Sequence, residues 1–413
     1  MKADKELKLR GKKKKFLEKI ESPEVNDETK IPKSKRKKKL GLFAKIFIIA
    51  VLCLSFLFII FNINYLTPSK MKEHMNAVFA NFGRGDGYPY RFSSNSILSF
   101  QSFNLGDKII LTDSDLIILN SSANPVLTYK HSMSNPIIKV SRDRILLFDQ
   151  GSTKAVVLTQ SGQVLSFPND NKIICADISD SGKSVIVTKT SKNKEEVNVY
   201  SFSGKKIMNW EKGDGYILDV SLNSGGSLLG VALVDTEDAV ETINIAMFNV
   251  SNAKQKGYYQ IKSSAFYDLA FLNTNDLSVL CSNKIFVLNA KGELKAESEL
   301  PGATNLQLFS DKNGHIINAY SQFNNGEYIV DVYNASLEKI YSKQCENEII
   351  RVHSDGSSLV CLYSNHTADV NMLKGKVTYT ATFDMEPELI LCNSRQVFGC
   401  ANGLVQKVKA VKQ

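Results

Sequence analysis

Beyond residue 90 the chain is a succession of short, alternating apolar runs, which are interrupted about every eight to twelve residues by Gly, Asn, Asp and Ser. Alternation with a period of two predicts β-strands with one buried face, and the small polar residues predict the turns between them. Long runs with a helical period are missing from this region. The pattern therefore predicts an all-β domain of many short antiparallel strands.

A recurring unit organises these runs. It consists of an apolar strand, a turn of small residues, and a second strand that often ends in an aromatic residue. Each unit also opens with a further apolar strand, as at residues 136–140, 173–176, 216–220 and 349–352. The turns lie 39 to 48 residues apart and end at Ser122, Gly162, Gly204, Asn252, Gly292, Ser336 and Gly375. A period near 40 residues with about four strands per unit is typical of a β-propeller.

The last unit decides the number of blades. Seven complete units are followed by an incomplete one, in which residues 389–391, 397–399 and 404–408 supply three strands. Residues 88–92, just before the first unit, can supply the missing fourth strand and close the ring, which removes exposed sheet edges. The sequence therefore predicts eight blades, with seven as the alternative. A β-sandwich and a solenoid are the competing fold classes.

A dense apolar segment precedes this domain. Residues 46–61 contain no charged side chain, and residues 40–66 exceed the roughly 20 residues that a helix needs to cross a bilayer. Lys45 can snorkel to the interface. A buried core helix is the alternative, but the segment has no polar face to turn towards water. We therefore expect one transmembrane helix over residues 40–66.

The positive charge lies on one side of this segment. Residues 1–45 hold 17 basic and 7 acidic side chains, whereas the rest of the chain holds 34 and 35 and is nearly neutral. A nucleic-acid-binding domain is disfavoured, because the folded region lacks a positive excess. Basic residues stay on the cytoplasmic side of a membrane, so we expect the N-terminus inside and the domain outside. The membrane-proximal basic residues are Lys35, Arg36, Lys37, Lys38, Lys39 and Lys45.

These features divide the chain into four parts. Residues 1–39 are predicted as a disordered basic tail, and residues 40–66 as an uncleaved signal-anchor helix in the cell membrane. Residues 67–87 form a juxtamembrane helix followed by a flexible, glycine-rich hinge, and residues 88–413 form the propeller. A cleaved signal peptide is the alternative, but the small residues around Ala80 lie too far beyond the apolar core.

Three local motifs resemble a known family. They are Gly83-x-Gly85-Asp86-Gly87-Tyr88-Pro89 beside the membrane segment, Ser134-Asn135-Pro136 before the second blade, and Tyr200 with the Ser203-Gly204 turn. Together they look like a bacterial family of uncharacterised single-pass membrane proteins with an extracytoplasmic, WD-repeat-like β-propeller. The resemblance covers the layout of residues 40–413. It implies the fold and the topology, and it brings no activity with it.

No catalytic, cofactor-binding or metal-binding set is predicted. The five histidines are scattered, and none lies at metal-ligand spacing from a Cys, an Asp or a second His. Nucleophile-elbow and glycine-rich phosphate-binding motifs are missing. Six cysteines follow the apolar segment and are expected mostly as buried free thiols, with Cys392 and Cys400 as the plausible disulfide pair. Whether the domain is an enzyme stays open, and a non-catalytic protein is favoured.

Long loops indicate where a partner binds. The loops over residues 190–196, 235–241 and 322–326 join second to third strands, and the first two belong to neighbouring blades. Loops on a rigid scaffold commonly carry binding sites, although tolerated variation in loop length is an alternative explanation. The candidate partner-binding residues are Lys192, Lys194, Glu195, Asp235, Glu237 and Asp238.

The sequence thus predicts a membrane-anchored, non-catalytic binding or scaffold module for a protein, a peptide or a cell-envelope polymer. One alternative is a propeller enzyme that acts on envelope glycans, which requires carboxylates converging on the central face. Another is a transmembrane coupler that docks a cytoplasmic partner through the basic tail. No cofactor is expected, and the partner's identity and the oligomeric state are left open.

Overall fold

The computed structural model describes residues 47, 49, 51–53, 55, 71, 75, 83, 85–94, 96–190, 194–213, 215–237, 240–262, 265–273, 275–311, 313–322, 326–375 and 377–412. The predicted tail, most of the predicted membrane helix, and Lys35, Arg36, Lys37, Lys38, Lys39 and Lys45 lie outside these residues. The described positions between 47 and 55 are helical, as are Met71 and Met75. Within the described residues, no helix has both the length and the apolar character needed to cross a membrane.

Residues 62–413 fold as one unit, and its 33 described strands form eight sheets. Each sheet is an antiparallel meander, which is the blade of a β-propeller, so the prediction of an eight-bladed all-β ring is confirmed. Blade 1 contains β2 (Ile97–Ser102), β3 (Lys108–Thr112), β4 (Asp115–Leu119) and β5 (Pro125–Lys130), with a short 3-10 helix at Asn104–Gly106. Blade 2 contains β6 (Pro136–Val140), β7 (Ile145–Asp149), β8 (Lys154–Thr159) and β9 (Gly162–Pro168).

The next four blades repeat this arrangement. Blade 3 contains β10 (Lys172–Ile178), β11 (Ser184–Lys189), β12 (Glu195–Tyr200) and β13 (Lys206–Lys212). Blade 4 contains β14 (Tyr216–Leu222), β15 (Leu228–Glu237), β16 (Val240–Asn249) and β17 (Lys254–Lys262). Blade 5 contains β18 (Phe266–Phe271), β19 (Leu277–Cys281), β20 (Lys284–Leu288) and β21 (Leu294–Glu299). Blade 6 contains β22 (Ala303–Ser310), β23 (Ile316–Gln322), β24 (Tyr328–Tyr333) and β25 (Lys339–Cys345).

The last two blades contain the strands that complete the ring. Blade 7 contains β26 (Ile349–Ser354), β27 (Ser358–Tyr363), β28 (Thr367–Met372) and β29 (Thr378–Thr382), with β33 (Val411–Lys412) as a fifth strand. Blade 8 contains β30 (Leu389–Asn393), β31 (Gln396–Ala401) and β32 (Leu404–Lys409). Its fourth strand is β1 (Tyr90–Arg91), which pairs with β32 and joins the two ends of the domain in one sheet. The predicted closure by residues 88–92 is therefore confirmed.

The second strand of each blade is covered on both faces by the neighbouring blades. β3, β7, β19 and β27 contain no exposed residue, and their sequences are nearly continuous apolar runs, as expected for strands buried on two sides. An apolar cluster fills each seam between blades. Between blades 2 and 3, for example, Leu146 and Phe148 pack against Ile173 and Ile186. The core is thus a ring of seams around a central channel.

The described glycines of the segment before the ring lie against blade 1. The amides of Gly85 and Gly87 donate to the Oγ and the carbonyl oxygen of Ser122, at 3.1 and 3.2 Å, and Asn120 Nδ2 donates to the carbonyl of Gly83 at 2.8 Å. A Cβ atom at Gly85 would lie 2.4 Å from the carbonyl oxygen of Ser122. Glycine is needed here for close approach to blade 1, because the segment is held against a turn of that blade.

Cys392 and Cys400, the plausible disulfide pair of the sequence, are not bonded to one another. Cys400 pairs with Leu389 across the β30–β31 ladder, whereas Cys392 pairs with Val397, so the two cysteines are three positions apart. Side chains three positions apart along a strand point to opposite faces of the sheet. The seven cysteines are free thiols, and all except Cys53 are buried.

Candidate binding face

Six of the eight inner strands carry a β-bulge near their first residues. In each of them the pairing with the second strand skips one residue, whereas β6 and β30 pair without a shift. A bulge leaves its extra residue unpaired and re-aims that side chain. The skipped residues are Leu98, Ile174, Leu218, Tyr267, Leu306 and Ile350. All of them are apolar or aromatic.

Five of these residues, namely Leu98, Ile174, Leu218, Tyr267 and Ile350, form an apolar rim around the mouth of the channel. Leu98, Tyr267 and Ile350 are exposed, with 47%, 52% and 47% of their surface accessible. Ile174 and Leu218 are partly buried and pack on the clusters of their seams. Neighbouring blades cover both faces of an inner strand, so an exposed side chain on such a strand faces the channel or its mouth. We call these five residues the apolar rim.

The rim lies on the same side of the ring as the predicted binding loops. The beginning of an inner strand pairs with the end of the second strand, as Lys172 does with Lys189 in blade 3. Loops from second to third strands therefore emerge where the inner strands begin, and we call this side the front face. The ladder registers therefore place the loops from second to third strands on one face.

A protruding hairpin replaces the loop predicted at residues 235–241. Tyr216, the first residue of the inner strand β14, pairs with Val234, yet β15 and β16 continue beyond this pair to Glu237 and Val240. Asp235 thus lies in a strand and is half-buried. The backbone of Glu237 also belongs to β15, whereas Asp238 lies outside the described residues. The hairpin stands above the rim on the front face.

The other predicted loop residues have different environments. Lys192 lies outside the described residues, and Lys194 is exposed, 3.9 Å from the carboxylate of Glu211. Glu195 was predicted as a loop residue, but it begins strand β12, is only 4% exposed, and accepts a hydrogen bond from the amide of Ile217 in blade 4. This hydrogen bond links blades 3 and 4, and it gives the buried amide of Ile217 the acceptor that it needs.

Charged side chains lie in the channel on the side of blades 2 to 5. Lys139 of β6, Asp177 of β10, Asp219 of β14 and Asp268 of β18 are all half-buried inner-strand residues that interact electrostatically. Asp177 Oδ2 also accepts a hydrogen bond from the amide of Leu222 at 2.8 Å, which links blades 3 and 4. With every group ionised, this channel cluster has three negative charges and one positive charge.

Burial and mutual interaction shift the pKa values of the channel cluster. Burial raises the pKa of Asp177 to about 6, against the opposing effects of Lys139 and of two backbone amides. Burial likewise raises the pKa of Asp219 and Asp268, again opposed by Lys139. Burial alone would lower the pKa of Lys139, but Asp219, Asp177 and Asp268 outweigh it and raise that pKa. Lys139 is therefore charged at neutral pH and compensates the carboxylates.

Catalytic groups are poorly supported by this geometry. His353 Nδ1 lies 3.3 Å from Cys392 Sγ, but burial raises the pKa of this thiol far above its ordinary value, which makes it a poor nucleophile. Among the residues that the structure describes, no three His, Cys, Asp or Glu side chains are grouped in a way that could hold a metal ion. The His353–Cys392 pair therefore gives no support for a catalytic site.

A family model described as a family of unknown function (DUF5711) matches residues 90–409, which is the propeller from β1 to the end of β32. The chain belongs to the DUF5711 family. No curated protein matches the chain in sequence.

Solved structures share the fold of this DUF5711 propeller at low identity. The C-terminal WD40 domain of Sif2 has a TM-score of 0.56 at 10% identity, over 78% of this chain and 98% of that chain. Sqt1 of Chaetomium thermophilum, bound to the N-terminus of the ribosomal protein L10, has a TM-score of 0.53 at 11% identity, over 79% and 100%. BamB from Moraxella catarrhalis has a TM-score of 0.50 at 10% identity, over 78% and 98%.

Sequence reasoning missed the apolar rim of the DUF5711 propeller, and the sequence contains only a partial indication of it. An apolar pair lies at or near the start of the five strands that supply the rim, at Ile97-Leu98, Ile173-Ile174, Ile217-Leu218, Phe266-Tyr267 and Ile349-Ile350. Two successive apolar residues break the alternation of a strand, as a bulge does, but Leu389-Ile390 opens β30, which pairs without a bulge. The channel cluster has no comparable local pattern, because its members are 38 to 49 residues apart along the chain.

Proposed function

We propose that this DUF5711 protein is a membrane-anchored, non-catalytic binding module whose front face binds a polypeptide on the outer side of the membrane. Residues 40–66 serve as the anchor, and the basic residues before them keep the N-terminus in the cytoplasm. The propeller stands outside and presents the apolar rim to its partner.

The exposed residues of the apolar rim carry this proposal. Leu98, Tyr267 and Ile350 come from blades 1, 5 and 7 and are about half accessible, although each lies on an inner strand. Apolar side chains that converge around an opening favour association with other apolar groups, because contact removes their surface from water. A segment that places apolar side chains on the rim would gain roughly 25 cal/mol for each Å² of apolar surface it buries.

The channel cluster indicates a further property of the partner. Its carboxylates outnumber Lys139, and a Lys or Arg side chain that enters the channel would reduce this imbalance. We therefore expect a polypeptide segment with apolar residues for the rim and at least one basic residue for the channel. Envelope polymers and glycans fit less well, since they lack the apolar side chains that the rim would cover.

Other propellers offer a parallel. The solved complex of Sqt1 with the N-terminus of the ribosomal protein L10 shows that a protein of this fold can hold a terminal polypeptide segment. The low identity limits this parallel to the fold. The proposed site and partner of this chain are therefore argued from its own apolar rim. A glycan-cleaving enzyme remains the competing function, and the three channel carboxylates are the groups that it would use.

Site-specific photo-crosslinking in cells tests the proposal. The full chain carries p-benzoylphenylalanine at position 267, and a matched variant carries it at position 258, because Tyr267 and Tyr258 are both 52% exposed, and Tyr258 lies on the outer strand β17. We expect position 267 to capture one protease-sensitive species whose crosslinked segment contains apolar and basic residues. Position 258 should capture much less of it.

Substitutions then show whether capture depends on the rim. Leu98→Ser combined with Ile350→Ser should abolish capture at position 267, whereas Leu294→Ser on the outer strand β21 should leave it unchanged. If the captured species resists proteases and is degraded by glycan hydrolases, the partner is an envelope polymer and the proposal of a polypeptide partner is wrong. Equal capture at both positions would show that the rim is not a binding site.

A separate experiment tests the anchor and the coupling alternative. Deletion of residues 1–39 with Lys45 retained should leave the propeller accessible to protease on intact cells, and capture at position 267 should persist. Loss of capture with unchanged accessibility would favour the coupler that docks a cytoplasmic partner. If the propeller of the full chain is protected from protease on intact cells, the proposed topology is wrong.

A further inference from the structure

Two buried cysteines meet at the seam between blades 6 and 7. Cys345 is the last residue of β25 in blade 6, and Cys361 lies in the middle of β27 in blade 7. They share one apolar cluster and are 5% and 0% exposed, and Tyr363, two positions from Cys361 on β27, donates its hydroxyl to Cys345 Sγ. The packing of blade 6 against blade 7 therefore brings together two thiols from different sheets.

Polar groups surround one of these thiols. The Tyr363 hydroxyl lies 3.4 Å from Cys345 Sγ, and also 3.0 Å from Asp369 Oδ2. Lys343 Nζ lies 2.6 Å from the same carboxylate oxygen. The hydrogen bond from Cys361 lowers the pKa of Cys345 despite its burial, and Tyr363 and Lys343 add to this effect. The same hydrogen bond, with burial, raises the pKa of Cys361. The two thiols therefore differ in pKa, with that of Cys345 the lower.

A cavity leads from the surface to Cys345. It has a volume of about 410 Å³ and is bordered by Cys345, Lys343, Tyr363, Asn365 and Asp369, among others. Asn365 lies in the loop between the second and third strands of blade 7, so the cavity opens on the front face. Cys361 is fully buried, and Cys345 is the thiol of the two that borders the cavity.

We propose that Cys345 and Cys361 form a dithiol site that reacts with small disulfides entering through this cavity. Cys345 is the attacking thiol, and Cys361 is the resolving thiol. The product is a disulfide that joins blade 6 to blade 7. This proposal is independent of the partner bound at the apolar rim.

The reaction consists of two balanced exchange steps. The Cys345 thiolate attacks one sulfur of a disulfide R–S–S–R, forming Cys345–S–S–R, and the released R–S⁻ takes up the proton that Cys345 has lost. Cys361 then loses its proton and attacks Cys345 Sγ, forming the Cys345–Cys361 disulfide and releasing the second R–SH. Two protein thiols are oxidised and one small disulfide is reduced to two thiols.

Oxidised glutathione tests the proposal on the full chain in its membrane. Cys53 is replaced by serine, because it is the exposed cysteine of the chain. After treatment, free thiols are alkylated and the peptides are identified by mass spectrometry without reduction. We expect a joined Cys345–Cys361 peptide that disappears on addition of dithiothreitol. We also expect a rise in melting temperature after oxidation, since the bond restricts the unfolded chain.

Two variants separate the two thiols. Cys361→Ser should stop the reaction at the first step, with one glutathione retained on Cys345. Cys345→Ser should lower the rate of modification at Cys361 by more than about tenfold, because the buried thiol has no accessible attacking partner. Cys345→Ala repeats this test, and thermal unfolding verifies that each variant is folded. Cys400→Ser, in an equally buried strand of blade 8, should behave as the parent.

Several results would overturn the proposal. One is a parent protein in which both thiols remain alkylatable after treatment. A second is a Cys361→Ser variant that carries no glutathione on Cys345. A third is a folded Cys345→Ser or Cys345→Ala variant in which Cys361 is modified at the parent rate.

Discussion

At two seams of the ring, the backbone amide of an inner strand donates a hydrogen bond to a side chain of the preceding blade, but the acceptors differ. At the seam between blades 3 and 4, the carboxylate of Asp177 accepts a hydrogen bond from the amide of Leu222. At the seam between blades 6 and 7, the side-chain amide of Gln307 accepts one from the amide of Val352. We call the first the carboxylate seam and the second the thiol seam, since the latter also holds the Cys345–Cys361 pair.

The difference shows which features of a propeller are repeated and which are not. The apolar positions recur in every blade, because each seam must exclude water, and this recurrence defines the ring. The amides of the inner strands need only an acceptor, and a carboxylate or an amide oxygen serves equally well. The carboxylate of Asp177, however, acquires a dependence on pH and on Lys139 that the side-chain amide of Gln307 lacks.

The largest expected effect is that of Lys139→Met, which removes the cation of the carboxylate seam. We expect a loss of about 2 kcal/mol in the free energy of unfolding at pH 8, since an uncompensated charge is costly in a partly buried site. The raised pKa values of Asp177, Asp219 and Asp268 mean that these groups are partly protonated in acid. The loss should therefore shrink at pH 4.5.

The fluorescence of Trp210 reports unfolding at this seam, because it is the single tryptophan and packs on Phe248 with the ring centroids 4.9 Å apart. Lys189→Met is the matched control, since Lys189 is exposed on the neighbouring strand β11. It should change stability by less than about 0.5 kcal/mol. Equal losses for Lys139→Met at both pH values would show that the channel carboxylates do not depend on this lysine.

The next prediction compares the free energy of unfolding of Asp177→Ala, at the carboxylate seam, with that of Gln307→Ala, at the thiol seam. Each variant leaves a seam amide without its acceptor, which costs about 1 to 2 kcal/mol. The raised pKa of Asp177, about 6 against an ordinary value near 3.9, means that its folded state favours the protonated form. Its stabilising contribution is complete below pH 4 and is lost as the pH rises through 6.

Asp177→Ala should therefore cost more stability at pH 4 than at pH 7, whereas the cost of Gln307→Ala should be the same at both. Thermal unfolding of both variants across this range measures the difference. Asp177→Asn retains an acceptor, and it should recover most of the loss at either pH. A pH-dependent cost for Gln307→Ala, or a flat one for Asp177→Ala, would remove the distinction between the seams.

The ring itself was predictable from sequence because local patterns encode it. Strands buried on both faces read as continuous apolar runs, and a repeat near 40 residues specifies one blade per unit. Closure was predictable because the last unit lacked a strand that residues 88–92 could supply. The membrane anchor and its orientation stay predictions, since most of residues 40–66 lie outside the described part.

The contacts between blades were not predictable, because they depend on residues far apart in the chain. Glu195 looks like a loop residue in sequence, and only the neighbouring amide of Ile217 explains its burial. Cys345 and Cys361 carry no motif that pairs them, whereas the closer-looking Cys392 and Cys400 lie apart on their ladder. Polar chemistry at a seam is set by register and by bulges, which composition and periodicity do not reveal.

The smallest expected effect has the opposite sign and concerns Asp268→Asn. Burial raises the pKa of Asp268 even in the presence of Lys139, so the folded protein disfavours its ionised form. Asparagine at position 268 carries no charge and so removes the cost of burying an ionised carboxylate. Asp177 and Asp219 still compensate the charge of Lys139. We expect a gain of about 0.5 kcal/mol at pH 8 that shrinks in acid and disappears below about pH 3, because the wild-type carboxyl group is then largely protonated in both the folded and the unfolded state. A loss at pH 8 would mean that Lys139 depends on all three carboxylates, and the carboxylate seam would then be one inseparable charge network.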